Sequence, residues 1–454
     1  MKRTEKLLVL GVLVMFLAVG LQATDSRKAV LTGTTYHEFT PIGMLITSVD
    51  ALLNPIFMLD YSDFLNIDYD NATRTYSGFG FFKMKSLGLP GVLGVQIGKR
   101  YGSSRTGIWF DAGQDINSLN GLVAPLCGQD NVGVDGTDVT NLIGVRSYGI
   151  FYALPIGKEL RAGFGFDYVG RGVSGKRIND PQSVSIFRDD IFKKRISDLM
   201  FRAGVGTVLR EKIDLALDIG FGMPKYIYEY TAAAGSTADN EKASFSGSDL
   251  DLNLRVAIKM GDNASLVGNL SYYNFGGSLN IDPDLVTLAD GTTYKRAQSI
   301  FRLLAGPLFH GESYDVGIQI GVMNESTTIE TTIETPGTDT AKSNPTYFNI
   351  PMLRIMAEKQ LAKWFTMRAS VAYRTYTRKI LTNTTTDPLT EDWEAVSTRA
   401  TSVLTPAFGF TIDMKNGFII DAFINDVIFL NAPYIVTGVN SGSLNVGVSI
   451  GLKL

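Results

Sequence analysis

Apolar and polar residues alternate one by one over many segments of this chain. From Leu444 to Leu454, apolar side chains occupy the even positions, and small or polar side chains occupy the odd ones. The segment from Asp249 to Lys259 repeats the pattern. Because successive side chains of a strand point to opposite faces, each such segment predicts a strand with one apolar and one small or polar face.

The connections between these segments alternate in length. Short connections cover 154–159, 210–212, 261–263, 310–312, 360–363 and 415–417, and long polar ones cover 101–140, 171–196, 223–247, 275–296, 324–345, 377–398 and 425–442. Short turns at one end and long loops at the other are typical of outer-membrane barrels, with the short turns on the periplasmic side. We therefore predict an all-β fold, a transmembrane antiparallel β-barrel of about 14–16 strands, each about ten residues long.

The strand count depends on one segment near the start of the alternating region. Seven hairpins and a closing strand at 444–454 can be drawn along the chain. Because bacterial single-chain barrels have even strand numbers, the segment from Asp63 to Tyr69 is predicted to be a sixteenth strand. If that segment and one weak strand lie elsewhere, the count is about fourteen.

Residues 1–23 have the features of a secretory signal peptide. Lys2 and Arg3 supply a basic start, residues 7–21 are apolar, and Ala23 precedes the expected cleavage site. An uncleaved anchor is the alternative. This prediction places the mature chain outside the inner membrane, with a barrel over 61–454 in the outer membrane of a Gram-negative-type bacterium.

The segment 24–60 lacks strand alternation and is predicted to act as a plug. Its apolar residues have rough helical spacing, and Pro55 ends any helix near Asn54. A short apolar segment ahead of a barrel can fold into the lumen or under its periplasmic mouth, and an amphipathic linker is the alternative. The plug candidates are Leu45, Val49, Leu52, Asn54, Pro55 and Phe57.

Turning the apolar strand faces outward points a set of charged side chains into the barrel. Arginine at mid-depth on the lipid face costs roughly 2–4 kcal/mol, so these side chains are expected in the lumen. They form either a solute-selective lining or a charged seat for the plug, and a simply hydrated interior is the alternative. The lumen-lining candidates are Arg146, Arg161, Asp167, Arg202, Asp214, Asp218, Asp251, Arg255, Arg302, Asp315, Gln319, Arg354, Arg368, Arg374 and Asp421.

A specific seat for the plug follows from these charges. Arg202, Arg255 and Arg354 are expected to pair with Asp50 and Asp60 of the segment. A wet ion pair contributes little by itself, so most of the seating free energy is expected from the apolar side chains.

Composition removes several functional classes. The chain has 454 residues and a net charge of -3, which favours no nucleic-acid partner. No apolar run long enough for a helical span follows the N-terminus, so a polytopic helical membrane protein is excluded. The single Cys127 excludes a disulfide framework and a cysteine-based zinc site, and we expect no metal and no cofactor.

The sequence offers no credible catalytic group. The G-x-S-x-G pattern around Ser449 lies inside a predicted strand, whereas that motif requires a sharp strand-to-helix turn. His310 falls in a predicted periplasmic turn and His37 in the N-terminal segment, so neither lies near the outer membrane edge where barrel hydrolases hold their base. We therefore predict that the protein is not an enzyme.

One short motif carries a family resemblance. The segment Asp50-Ala-Leu-Leu-Asn-Pro-Ile-Phe57 has an Asn-Pro pair ahead of a large barrel. This layout resembles the superfamily of the long-chain fatty acid transporter FadL and the related PorV-type outer-membrane proteins. Family members usually show Asn-Pro-Ala followed by Gly-Leu, whereas this chain has Ile56 and Phe57. The resemblance implies that Asn54 and Pro55 lie in a plug.

The resemblance also implies an exit route and a set of functions. In the family, a hydrophobic ligand leaves through a gap in the wall beside a kinked strand. Pro351 and Pro406 fall inside predicted strands, where either would mark a bulge or such a gap. We predict passive transport of hydrophobic or small solutes across the outer membrane. The alternative is a non-transporting structural or secretion-associated barrel, and an outer-membrane enzyme is third. The expected partners are outer-membrane lipid and a hydrophobic small molecule, and protein partners stay open.

Overall fold

Sixteen antiparallel strands form one closed barrel. The computed structural model describes residues 30–31, 42–70, 75–98, 146–176, 191–231, 241–281, 292–333, 339–385, 393–414, 417–425 and 445–453. The strands are β1 Phe64–Asp70, β2 Thr75–Lys83, β3 Val92–Gly98, β4 Arg146–Ile156, β5 Leu160–Lys176, β6 Ile191–Leu209, β7 Ile213–Thr231, β8 Glu241–Lys259, β9 Ala264–Ile281, β10 Thr292–His310, β11 Tyr314–Ile333, β12 Asp339–Ala362, β13 Phe365–Thr385, β14 Trp393–Asp413, β15 Phe418–Asn425 and β16 Asn445–Lys453.

The ring closes between the first and last strands. β1 pairs with β16 from Phe64 opposite Lys453 to Asp68 opposite Ser449, and every other strand pairs with its neighbours in sequence. The prediction of an antiparallel barrel is confirmed. The count is sixteen, because the segment from Asp63 to Tyr69 does supply a strand.

Alternate side chains in the wall face opposite environments, as the periodicity predicts. On β6, Phe201 and Val205 are 46% and 43% exposed on the outer face, whereas Arg202 between them is 3% exposed on the inner face. On β11, Ile320 is 60% exposed and its neighbour Gln319 is fully buried. An apolar outer face over a polar inner face is the arrangement that a lipid-embedded barrel requires.

Most strands are longer than predicted. β5 has 17 residues and β12 has 24, against the expected ten or so. The predicted long loops are correspondingly too long: in 324–345, for example, all residues except 334–338 belong to β11 or β12. Polar, β-branched stretches such as Ser326–Thr332 continue the ladder, because strands can pair beyond the bilayer with both faces in water. The predicted loops at 101–140 and 425–442 lie outside the described residues, apart from Asn425.

The two strand prolines behave differently. At Pro351 the register of β12 shifts against both neighbours, and Ile350 and Pro351 both face outward. This is a β-bulge, as predicted for one of the two prolines. Pro406 pairs with Val371 without any shift between β13 and β14, so it marks no bulge on that side.

Within residues 42–63, the described stretch directly before β1, there are two short helical segments. α1 spans Asp50–Leu53, and the 3-10 helix η1 spans Pro55–Asp60. Asn54 between them has an extended backbone, and its Oδ1 accepts a hydrogen bond of 3.3 Å from the Ile56 N–H. The break predicted at Asn54 is confirmed, although the helix before it is only one turn. A second 3-10 helix, η2, spans Met84–Leu87. None of the helical segments in the described ranges is long and apolar enough to cross a bilayer.

Candidate functional site

The described residues of the N-terminal segment, 30–31 and 42–60, lie inside the barrel. At one end, Ser370 of β13 donates a hydrogen bond to the Val30 carbonyl. At the other, a Cβ on Gly163 of β5 would lie 2.8 Å from the Cβ of Pro55. β5 and β13 are eight positions apart in a ring of sixteen strands, so they face each other across the lumen. Because these wall residues point inward, the described residues of the segment contact both sides of the lumen.

Apolar packing fixes the α1–η1 part of the segment against the wall. Leu52, Ile56 and Phe57 are at most 1% exposed. Their cluster includes inward side chains of β2, β3 and β4, namely Phe79, Phe81, Val92, Phe151 and Ala153. Burying an apolar side chain of this size contributes roughly 1.5–3 kcal/mol, so this cluster is the main source of seating free energy.

A second apolar cluster lies on the opposite half of the ring. Leu31 and Met44 of the segment pack against Val267, Leu308 and Met356 of β9, β10 and β12. A Cβ on Gly317 of β11 would lie 2.5 Å from the Met44 sulfur, so the missing side chain there makes room for the segment. The segment thus meets wall residues around most of the circumference.

Polar anchors join the segment to the wall mainly through backbone carbonyls. Arg202 Nη1 donates to the Leu53 carbonyl at 3.4 Å, and Arg255 Nη2 donates to the Met44 carbonyl at 3.0 Å. Asn54 Nδ2 donates in the other direction, to the Leu217 carbonyl at 3.4 Å. The Leu53 carbonyl ends α1, where backbone acceptors have no partner within the helix.

These contacts add main-chain acceptors to the predicted seat. Asp50 accepts hydrogen bonds from the backbone N–H and the hydroxyl of Thr47, at 2.8 and 2.9 Å. A carboxylate at the start of a helical turn satisfies such local donors readily. The charges of Asp50 and Asp60 also act on Arg255.

Asp60, at the end of η1, forms an ion pair with Arg161 of β5. Its Oδ2 lies 3.6 Å from Arg161 Nη1, and Arg161 Nη2 lies 2.7 Å from Asp214 on β7. Asp214 also lies 3.5 Å from Arg255 Nη1, so the four groups form one network at the short-turn end of the lumen. Burial raises the pKa of the Asp60 carboxyl, and the charge of Arg161 opposes that rise.

The inner faces of β5–β8 carry an acidic wall next to this seat. We give that name to Asp167, Asp218, Asp249, Asp251 and Asn253, which are at most 3% exposed. Within it, Arg202 lies 3.8 Å from Asp218 and 3.6 Å from Asp251. Asp198 lies beside the wall and accepts a hydrogen bond from the Met223 N–H.

The other lumen candidates lie further round the ring. Arg302 and Arg354 are buried on the inner faces of β10 and β12. Arg368 pairs with Glu358 and, at 3.1 Å, with Asp421.

The remaining candidates are at a rim or cannot be placed in full. Asp315 bonds His310 Nδ1 at 2.7 Å at the short-turn end, and His310 ends β10 rather than lying in a turn. Arg146 and Arg374 lie in β4 and β13, but their side chains are outside the described set. Residues 1–23, His37 and Cys127 also lie outside the described residues.

Several inward polar residues were missed from the sequence. Gln298 Nε2 donates to Glu325 at 2.6 Å inside the barrel. Glu325 falls in the predicted long loop 324–345, although it lies on the same face of β11 as Asp315 and Gln319. Asn253 is on the predicted polar face of β8, but it has no charge that would mark it as a lumen residue.

Metal binding has no support among the described side chains. They contain no cluster of histidine, cysteine, aspartate or glutamate that could hold a metal ion. What the arrangement offers chemically is a set of hydrogen-bond acceptors and guanidinium groups around an apolar segment.

Comparisons with known proteins add little. No family model and no curated protein matches the chain. Among solved structures, the Pseudomonas putida toluene transporter TodX is 10% identical with a TM-score of 0.37, over 96% of this chain and 100% of that one. The translocator domain of the autotransporter NalP from Neisseria meningitidis is 12% identical with a TM-score of 0.31, over 74% and 98%. The ferric yersiniabactin uptake receptor FyuA from Yersinia pestis is 9% identical with a TM-score of 0.37, over 80% and 67%.

With identities and TM-scores this low, the likeness carries no argument about activity, and the resemblance to the FadL superfamily stays a prediction. The ring of strands and its faces define the class on their own. The chain is a transmembrane β-barrel of the outer-membrane type with sixteen strands.

Proposed function

We propose that this protein is an outer-membrane channel for passive transport of small or hydrophobic solutes, and that residues 24–60 are its gate. The supporting observation is that the described residues of the segment contact β5 and β13, which lie on opposite sides of the lumen. A segment held there blocks the route through the barrel, and its release would open that route without breaking a strand pair.

The lining that the segment covers suits such solutes. On β2–β4 the covered side chains are apolar, with Phe79, Phe81 and Phe151 at most 1% exposed. On β6–β8 the neighbouring inward side chains are charged. Release of the segment would therefore present an amphipathic lining to a solute, which supports small molecules with an apolar part.

A reversible crosslink tests the gate. The Cβ atoms of a disulfide lie about 3.5–4.5 Å apart, so Pro55→Cys and Gly163→Cys need only a small separation of the two backbones. In a Cys127→Ser background, the oxidised double variant should give almost no conductance in planar bilayers. Reduction should restore openings, and Gly163→Cys alone should not respond to reductant.

Each failure has its own meaning. If the crosslinked protein conducts as well as the reduced one, the segment is not the gate. If neither form conducts or takes up solute, the channel proposal fails.

The non-transporting barrel is the second candidate, and the extent of burial favours it. The α1–η1 residues Asp50–Met58 are all buried, as in a permanent core. Silence of the reduced variant, together with a protein that copurifies with the full chain from native membranes, would support this candidate.

A further inference from the structure

We propose that three wall glycines, Gly163 of β5 with Gly204 and Gly206 of β6, are positioning residues that decide whether the N-terminal segment can seat. We call these three residues the glycine floor. One methyl group added to the floor should shift the segment toward its released state. The inference rests on the proposed gate, because it names the wall residues that control the equilibrium between the seated and released segment.

The glycine floor belongs to a flat patch of small inward residues. Gly163 lies directly opposite Gly204 in the β5–β6 ladder, and Gly206 follows two positions along β6 on the same face. The neighbouring inward positions are also small, since Ala153 of β4 pairs with Gly163 and Ala216 of β7 pairs with Gly206. Because none of these residues has a side chain beyond Cβ, the segment can approach the wall backbone here.

The Asn-Pro pair of the segment fills the space that the missing side chains leave. A Cβ on Gly163 would lie 2.8 Å from the Pro55 Cβ and 3.0 Å from the Ile56 nitrogen. A Cβ on Gly204 would overlap the Asn54 Oδ1. Non-bonded atoms rarely approach a Cβ this closely, so a larger residue at either glycine requires the segment to move.

The Asn-Pro pair cannot readily turn away from an added group. The ring of Pro55 fixes its backbone φ angle. The Asn54 side chain is held at both ends, because its Oδ1 accepts from the Ile56 N–H and its Nδ2 donates to the Leu217 carbonyl of β7. A rigid surface of the segment therefore meets a flat surface of the wall, which gives the Asn-Pro pair a physical role in seating.

The strands themselves do not favour glycine at these positions. Glycine in a strand interior packs no side chain and loses more backbone entropy on folding than alanine does. Alanine at Gly163 or Gly204 should therefore leave the β5–β6 ladder intact. We expect its cost to fall on the seated segment instead.

A glycine elsewhere on the wall offers a useful contrast. A Cβ on Gly317 of β11 would lie 2.5 Å from the Met44 sulfur and 2.9 Å from the Met356 Cε. These atoms are near the ends of unbranched, flexible side chains, which adapt to small changes of shape. Gly317→Ala should therefore disturb seating less than Gly163→Ala.

Thiol labelling of the folded full chain in detergent measures seating. In a Cys127→Ser background, Ala51→Cys places the only thiol on α1, where Ala51 is fully buried. A maleimide should react with this thiol only while the segment is released. Gly163→Ala and Gly204→Ala should each raise the labelling rate about tenfold, because overpacking a tight contact costs at least as much as such a factor.

Gly268→Ala on β9 is the matched control. Nothing lies within 4 Å of a Cβ at that position, so this variant should label as slowly as the parent. Gly317→Ala should fall between the control and Gly163→Ala. Heat-modifiable gel migration checks that each variant is folded.

A compensating pair separates a positioning role from a general loss of stability. A Cβ on Gly206 would lie 2.5 Å from the Ile56 Cδ1, and Ile56→Val removes that methyl group. Gly206→Ala should therefore raise the labelling rate in the parent background but not further in the Ile56→Val background. This pair keeps the test decisive if Gly163→Ala and Gly204→Ala fail to fold.

Two results would overturn the inference. They are labelling of folded Gly163→Ala and Gly204→Ala at the rate of Gly268→Ala, and additive effects of Gly206→Ala and Ile56→Val. Labelling is measured without conductance, so failure of the glycine floor is distinguishable from failure of the gate. If labelling follows the prediction while conductance is the same in every variant, the floor is supported and the gate is not.

Discussion

Truncating Phe57 should release the segment from its seat without unfolding the barrel. Phe57 is 1% exposed and packs in the cluster that includes Phe79, Phe81 and Phe151. Replacing a buried phenylalanine by alanine costs about 3–5 kcal/mol. The strand ladders do not involve Phe57, so we expect this cost to fall on the equilibrium between the seated and released segment.

The magnitude sets the size of the expected effect. Each 1.4 kcal/mol or so is a factor of ten in an equilibrium constant, so Phe57→Ala should lower the ratio of seated to released segment by roughly 100-fold or more. Single-channel recording in planar bilayers measures that ratio as the closed-to-open time. The variant should show long openings where the wild type is mostly closed.

Phe418→Ala is the matched control. Phe418 is 43% exposed on the outer face of β15, so the same truncation removes no contact with the segment. Its gating should equal that of the wild type. Equal gating in Phe57→Ala and Phe418→Ala, with both proteins folded, would refute the idea that apolar packing holds the gate shut.

Three further results are expected. Because burial raises the pKa of Asp60, the Asp60 carboxyl holds a proton more tightly when the segment is seated than when it is released. Seating should therefore be favoured at acid pH and weaken as the pH rises through the raised pKa. The variant Asp60→Asn should remove this dependence of the channel open time on pH. Thr385→Cys lies at the long-loop end and should react with an impermeant maleimide on intact cells. Asp262→Cys lies in a short turn and should not react. The opposite labelling pattern would show that the predicted topology is inverted. Unboiled protein should migrate differently from boiled protein on gels, because a closed ladder resists detergent, and identical migration would contradict the barrel.

The barrel could be predicted because its signal is local and repeated. Alternation along β8 or β16 follows directly from the side-chain period of a strand, and the closing pair of β1 and β16 follows from the need to leave no edge. Strand ends could not be predicted in the same way. The stretch Ser326–Thr332 is polar enough for a loop and β-branched enough for a strand, and only pairing with β12 decides between them.

The sequence predicted which alternate positions of each strand face the lumen, but it did not predict the partners of those side chains. Arg202, Arg255 and Arg161 all face the lumen as expected, yet their contacts depend on the register between strands and on the path of the segment. Backbone carbonyls such as that of Leu53 are acceptors that no residue type reveals. The sequence therefore identified the charged groups without showing that two of them bind main-chain oxygens.

The pairing of the wall arginines bears on whether the segment is a gate or a permanent core. Leaving a buried charge without its counter-charge is strongly destabilising. If the segment departs, Arg202 keeps Asp218 and Asp251, and Arg255 keeps Asp214. Each arginine loses a bond to a neutral carbonyl, which costs less and which water can replace. Arg255 also loses the nearby charges of Asp50 and Asp60. Both arginines therefore keep a carboxylate of the wall when the segment departs, as does Arg161 with Asp214. A wall that retains these ion pairs is the condition under which an apolar plug can leave and return.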